Sequence, residues 1–286
     1  MEKILGILIC FLIGGLIKWR WPASENFRKI LNKYLIYFGL PFFIVVSLVS
    51  NPAKKFFDYA FITAVLLVFV NIVIFFLVKI LKFSPAQKGS IFLCSTYGNW
   101  AYLGIPMSYA LFGTTGLVLS SVAALIETIF HFSLGIYLSN LYSQAQIGAI
   151  KRVFKTPLIY AFLVAFLLVQ FPFAVPSWLF QGASSAMYLA ALVIGLSLSF
   201  GKFEKSLIAG TVFKFGIWPA LTFPILLFTN FSPLEKQIIL FLAFFPPALV
   251  NTNLCLEYNL DYKFASNFTT LSTCGFLIAF LILRII

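Results

Sequence analysis

Charge is scarce in this chain: Asp, Glu, Lys and Arg make up 10% of its 286 residues, and mean hydropathy is +1.02. Soluble domains carry about 25% charged residues, so a soluble fold is excluded. Histidine is scarcer still, with His131 alone. Without clustered carboxylates, that leaves no metal-ligand set and calls for no cofactor. A GxxxxGK[ST] loop is missing, which argues against an ATP-driven machine. Also missing are alternating segments of about 10 residues, so a membrane barrel gives way to helices. Cys10, Cys94, Cys255 and Cys274 have no CxxC spacing, fall in apolar stretches and read as packing residues.

What the chain has in quantity is apolar residues, 62% of the total. Read between charges and Pro/Gly clusters, they form ten candidate spans: 4–17, 27–50, 59–78, 89–112, 115–138, 157–171, 177–200, 207–229, 237–256 and 264–283. The expectation is an all-α integral membrane protein of the inner or plasma membrane, with the lipid bilayer as its main partner. The net charge of +12 is scattered over short loops instead of forming a patch, which excludes a nucleic-acid partner. Fifteen basic residues fall on one side of this layout and five on the other. The richer side is expected to be cytoplasmic, with both termini outside.

A polar linker, 142–156, separates five spans in 1–141 from five in 157–286. Halves that share a fold and hold an odd number of spans must be inverted relative to each other. Their first spans are both short, and their fourth spans are both interrupted, by GNWAYLGIP at 98–106 and FFPPALVNTN at 244–253. Each break lies ~15 Å deep, near the bilayer midplane. Irregular backbone is tolerated there only inside protein or along a water-filled cavity. Helices 4 and 9 are therefore expected to be broken and to cross. Pro106 and Pro247 suit a first helical turn and would each open a second half-helix, whose free N–H groups and dipole favour an anion. The expected binding segments contain Asn99, Gly104 and Pro106 on one side, and Pro246, Pro247, Asn251 and Asn253 on the other.

With YFGLP around Pro41, GLSLSF at 195–200, KFGIWP at 214–219 and EYNLD after the ninth-span break, these motifs resemble the auxin efflux carrier family over nearly the whole chain. The likeness extends to bacterial relatives described as malonate or malate permeases. It implies an inverted five-plus-five fold, divided into a scaffold and a transport domain, that carries organic anions. The long hydrophilic loop of the plant carriers is absent, which argues against auxin itself.

Glu127 and His131, four apart on the fifth span, share a helix face. They read either as a proton-coupling or gating pair or as a hydrogen-bonded pair that locks helices together. Lys214, about five residues inside the eighth span, either attracts the anion or snorkels to the headgroups. The function expected is secondary transport of a small mono- or dicarboxylate by alternating access, with proton or sodium coupling left open. Two protomers would pair through the second and seventh spans, although the sequence shows no dimer interface. Two other classes stay in view: a membrane-embedded enzyme using Glu127 and His131, and a receptor that keeps the fold without transport.

Overall fold

The computed structural model describes residues 2–21, 24–50, 56–143, 154–171 and 174–285. Among these the protein is all-helical, with no strand beyond a single isolated bridge. The helices are α1 (Glu2–Arg20), α2 (Ser24–Tyr34), α3 (Leu40–Ser50), α4 (Phe56–Ile80), α5 (Pro85–Thr96), α6 (Ile105–Phe130), α7 (Ile136–Ser143), α8 (Pro157–Leu168), α9 (Ser177–Leu196), α10 (Lys205–Thr211), α11 (Trp218–Leu227), α12 (Pro233–Ala243), α13 (Val250–Glu257) and α14 (Tyr262–Ile285). Among the described residues six stretches are long and apolar enough to cross a membrane, the longest being the 43 residues of Trp100–Tyr142. That stretch is two helices divided at Gly113, whose φ of +63° and ψ of −148° are non-helical and lie where glycine enters without a Cβ penalty. Lys54, Lys55, Lys151, Arg152 and most of the 142–156 linker lie outside the described residues.

Four stretches are wound as π-helix: Leu35–Gly39, Trp100–Gly104, His131–Gly135 and Val212–Ile217. Three of them run directly into proline, as GLP at 39–41, GIP at 104–106 and GIWP at 216–219. Proline inside a helix lacks a donor and its ring collides with the carbonyl four residues back. A wider π turn shifts the hydrogen-bond register ahead of each of these prolines, and the helix continues through it. This corrects the expectation for both prolines: Pro106 lies inside a helix that begins at Trp100, and Pro247 stands in the isolated bridge, before the helix that begins at Val250.

α5 and α12 start the same way. Ser84 and Ser232 each cap a helix with proline at its first position, and each forms a reciprocal capping box with Gln87 or Glu235. The offset from Ser84 to Ser232 equals that from Asn99 to Pro247.

The chain forms two compact units, each drawing on both halves of the sequence. The first holds Met1–Ala60, Trp100–Leu125 and Val153–Leu198. In it α1 packs against α9 through glycines: a Cβ on Gly195 would overlap the Phe11 carbonyl, and one on Gly14 the Leu192 carbonyl. Small residues let the two backbones touch, the usual device for tight helix pairs in membranes. The second unit holds Phe61–Asn99, Ile126–Arg152 and Ser199–Ile286, and the breaks after α5 and α12 fall within it.

Candidate functional site

In the second unit the interrupted segments pair with each other. Asn99 N–H donates to the Pro246 carbonyl at 2.8 Å, and Ala248 N–H donates to the Tyr97 carbonyl at 3.2 Å. Gly98 and Pro247 thus face each other in an antiparallel bridge as its non-hydrogen-bonded pair. Neither residue spends its own N–H there, so proline loses nothing. The Cα atoms of such a pair approach to about 4.5 Å, and glycine opposite the proline ring allows that. The Gly98 N–H is left for another acceptor, the Glu127 carboxylate.

Side chains reach the carbonyls at the end of α5, where the last ones lack partners within the helix. Trp218 Nε1–H donates to the Thr96 carbonyl at 2.7 Å. The Asn251 amide reaches the Leu93 and Tyr97 carbonyls at 3.5 and 3.4 Å. The Tyr97 hydroxyl lies 2.7 Å from Asn71 Oδ1 and 3.2 Å from the Phe130 carbonyl. Its ring lies parallel to that of His131, with centroids 4.3 Å apart. Gly135 makes room for that stack, since a Cβ there would collide with the Tyr97 ring.

Two charges complete the site. Glu127 and Lys214 interact electrostatically and are the buried Asp, Glu, Lys or Arg side chains among the described residues. Lys214 stands on a π turn, its Nζ 5.6 Å from the Trp218 ring centroid and without a hydrogen-bond partner. Asn99 Nδ2, Glu127 Oε1, His131 Nε2 and Asn251 Oδ1 are also buried and unpartnered. Buried polar groups are nearly always bonded, so five such atoms in one neighbourhood mark a place built to receive something polar.

A family model described as membrane transport protein matches residues 1–284. The chain belongs to this family. It is the auxin efflux carrier-like family that the sequence motifs resemble. The transporter is 28% identical over 291 residues to the uncharacterized transporter MJ1031 of Methanocaldococcus jannaschii, covering 96% of this chain and 94% of the other. It is 23% identical to an uncharacterized transporter of Methanothermobacter thermautotrophicus (95% and 93% covered) and 23% identical to the uncharacterized transporter YfdV of Escherichia coli (96% and 93% covered). The family and these names point to a multi-pass membrane transporter and not to an enzyme.

The structure therefore brings Asn99, Pro246, Pro247, Asn251, Glu127, His131 and Lys214 into one neighbourhood of the second unit. Gly104 and Pro106 belong to the first unit, where Gly104 ends the π turn after Trp100. Asn253 is exposed. Sequence reasoning did not single out Asn71, Tyr97, Gly135 or Trp218. Asn71 left a signal, since it is the one amide in the apolar run from Phe61 to Val78 and polar groups at such depth usually have a task. The other three left none.

Proposed function

We propose that this transporter is a secondary carrier of a small organic anion, a mono- or dicarboxylate, which binds where residues 97–99 meet 246–251. The observation that carries the reading is the buried Lys214 ammonium, which has no hydrogen-bond partner, beside a bridge whose flanking helices begin at Trp100 and Val250. A carboxylate pairs with an ammonium through charge-assisted hydrogen bonds, and helix N-termini favour the same sign of ligand. The Asn99 Nδ2 amide would add a donor.

Alternating access would carry this site from one face of the membrane to the other, with the second and seventh spans in the scaffold and available to pair two protomers. The ten-span inverted repeat belongs to the same proposal. It is supported by the matching capped half-helices at Ser84 and Ser232, which precede the bridge residues Gly98 and Pro247 by 14 and 15 residues. The charge asymmetry supports an orientation with both termini outside, in the inner or plasma membrane.

The test is uptake of radiolabelled acetate, lactate, malonate and malate into proteoliposomes, measured above protein-free vesicles. Saturable uptake of at least one, competed by the others, is expected. Absence of uptake for all four, with organic cations carried instead, would overturn the reading.

A further inference from the structure

We propose that Glu127 carries one proton with each carboxylate, because the substrate replaces Glu127 as the partner of Lys214. This rests on the anion-carrier reading above and adds its co-substrate. The sequence holds 20 Lys and Arg and 8 Asp and Glu, yet Glu127 and Lys214 are the two buried ones among the described residues, and they interact with each other. With both ionised and no substrate bound, the site is neutral. An incoming carboxylate makes it negative, and an uncompensated ion in a low-dielectric interior is strongly disfavoured. Lys214 can neutralise one carboxylate at a time, so the displaced Glu127 must be neutralised in another way.

Geometry selects the proton as the means. Glu127 has one oxygen against the Gly98 N–H and the other, Oε1, without a partner, so it can take a proton there while the bridge contact persists. The other titratable groups around it are His131 on its own helix, Tyr97 at the break, and Cys94 and Cys255 on α5 and α13. Asp261 Oδ1 is taken up by the Phe264 N–H at the start of α14, at 2.9 Å. A proton on His131 would place a second cation beside Lys214. Tyr97 and the two thiols are neutral when protonated and have no further proton to accept. The cycle balances. One proton from the loading side converts the Glu127 carboxylate to the acid as the substrate carboxylate pairs with Lys214, and release on the far side returns the proton to water and Glu127 to Lys214.

The experiment uses the full-length protein in proteoliposomes, the carboxylate of the four that is taken up best, an internal pH dye, and the potential clamped to zero. The wild type should move one proton per substrate ion. A one-unit pH gradient should then support about tenfold accumulation. Glu127→Gln should exchange the same carboxylate with no proton movement and no gradient-driven accumulation. Substrate uptake without protons in the wild type, or accumulation driven by sodium, would overturn the proposal while leaving the carrier reading intact. The wild-type proton count needs no variant to fold. No carboxylate uptake at all would instead remove the reading beneath it.

Discussion

Two close backbone contacts in this protein differ in what surrounds them. In the first unit α1 and α9 touch through Gly14 and Gly195 and surround the contact with apolar side chains such as Phe11 and Ile194. In the second unit Gly98 and Pro247 touch in a bridge surrounded by Asn99, Asn251, Glu127 and Lys214, several of them with unpartnered atoms. Glycine serves both places by removing a side chain. The first contact is fully matched and fixes two helices, while the second leaves polar capacity unspent, which stability alone does not favour. The contrast separates what holds the protein together from what it works with, and substitutions at each contact should split the same way.

The largest effect is expected at Lys214. Lys214→Met leaves Glu127 buried without its counter-charge and should cost about 3–5 kcal/mol of stability, read as thermal unfolding in detergent. Adding Glu127→Gln should return most of that stability without restoring carboxylate binding. If the double variant binds carboxylates as the wild type does, the anion is not held by Lys214.

Next comes the dry contact. Gly195→Ala places a methyl group on the Phe11 carbonyl and should destabilise by about 1–3 kcal/mol through overpacking. Substrate preference should not change. A variant with normal stability and altered selectivity would erase the distinction between the two contacts.

The sequence made much of this legible, for reasons that can be named. Both breaks were visible because glycine, proline and asparagine interrupt apolar runs, and their meeting followed from the cost of irregular backbone in lipid. Glu127, His131 and Lys214 stood out because ionisable residues are rare in such runs. Pro106 was misread because a proline in a broken helix was taken as a helix start, whereas the π turn at Trp100–Gly104 lets it lie inside. The recurring Gly-x-Pro pattern at Pro41, Pro106 and, with one added residue, Pro219 carried that information. The repeated Ser-Pro start of α5 and α12 also went unread, although each cap satisfies a rule visible in four residues. Tyr97 and Trp218 could not be found, because an aromatic residue in an apolar helix looks the same whether it packs against lipid or caps a buried carbonyl. The compact units could not be found either, since each gathers separated parts of both halves.

At the bridge itself, Asn251→Ala removes the amide that reaches the Leu93 and Tyr97 carbonyls. It should weaken carboxylate binding by about 1–3 kcal/mol, the usual cost of stranding a buried polar partner. Asn99→Asp should be worse, since it adds a negative charge where the substrate's carboxylate belongs. Normal carboxylate binding by Asn99→Asp at neutral pH would place the anion elsewhere.

The smallest effect sharpens the comparison most finely. Asn253 is two residues beyond Asn251 on α13, and a step of two on a helix turns the side chain through about 200°. Asn251 is fully buried and bonded to the end of α5, whereas Asn253 is exposed. Two residues of one type on one short helix therefore differ only in which face they occupy. Asn253→Ala should change stability by no more than about 0.5 kcal/mol, as exposed substitutions away from special features do, and carboxylate affinity should stay within twofold, about 0.4 kcal/mol. The check is substrate titration of both alanine variants on one protein preparation. A loss at Asn253 as large as that at Asn251 would mean that the binding surface wraps around α13, and that the buried bridge forms only part of it.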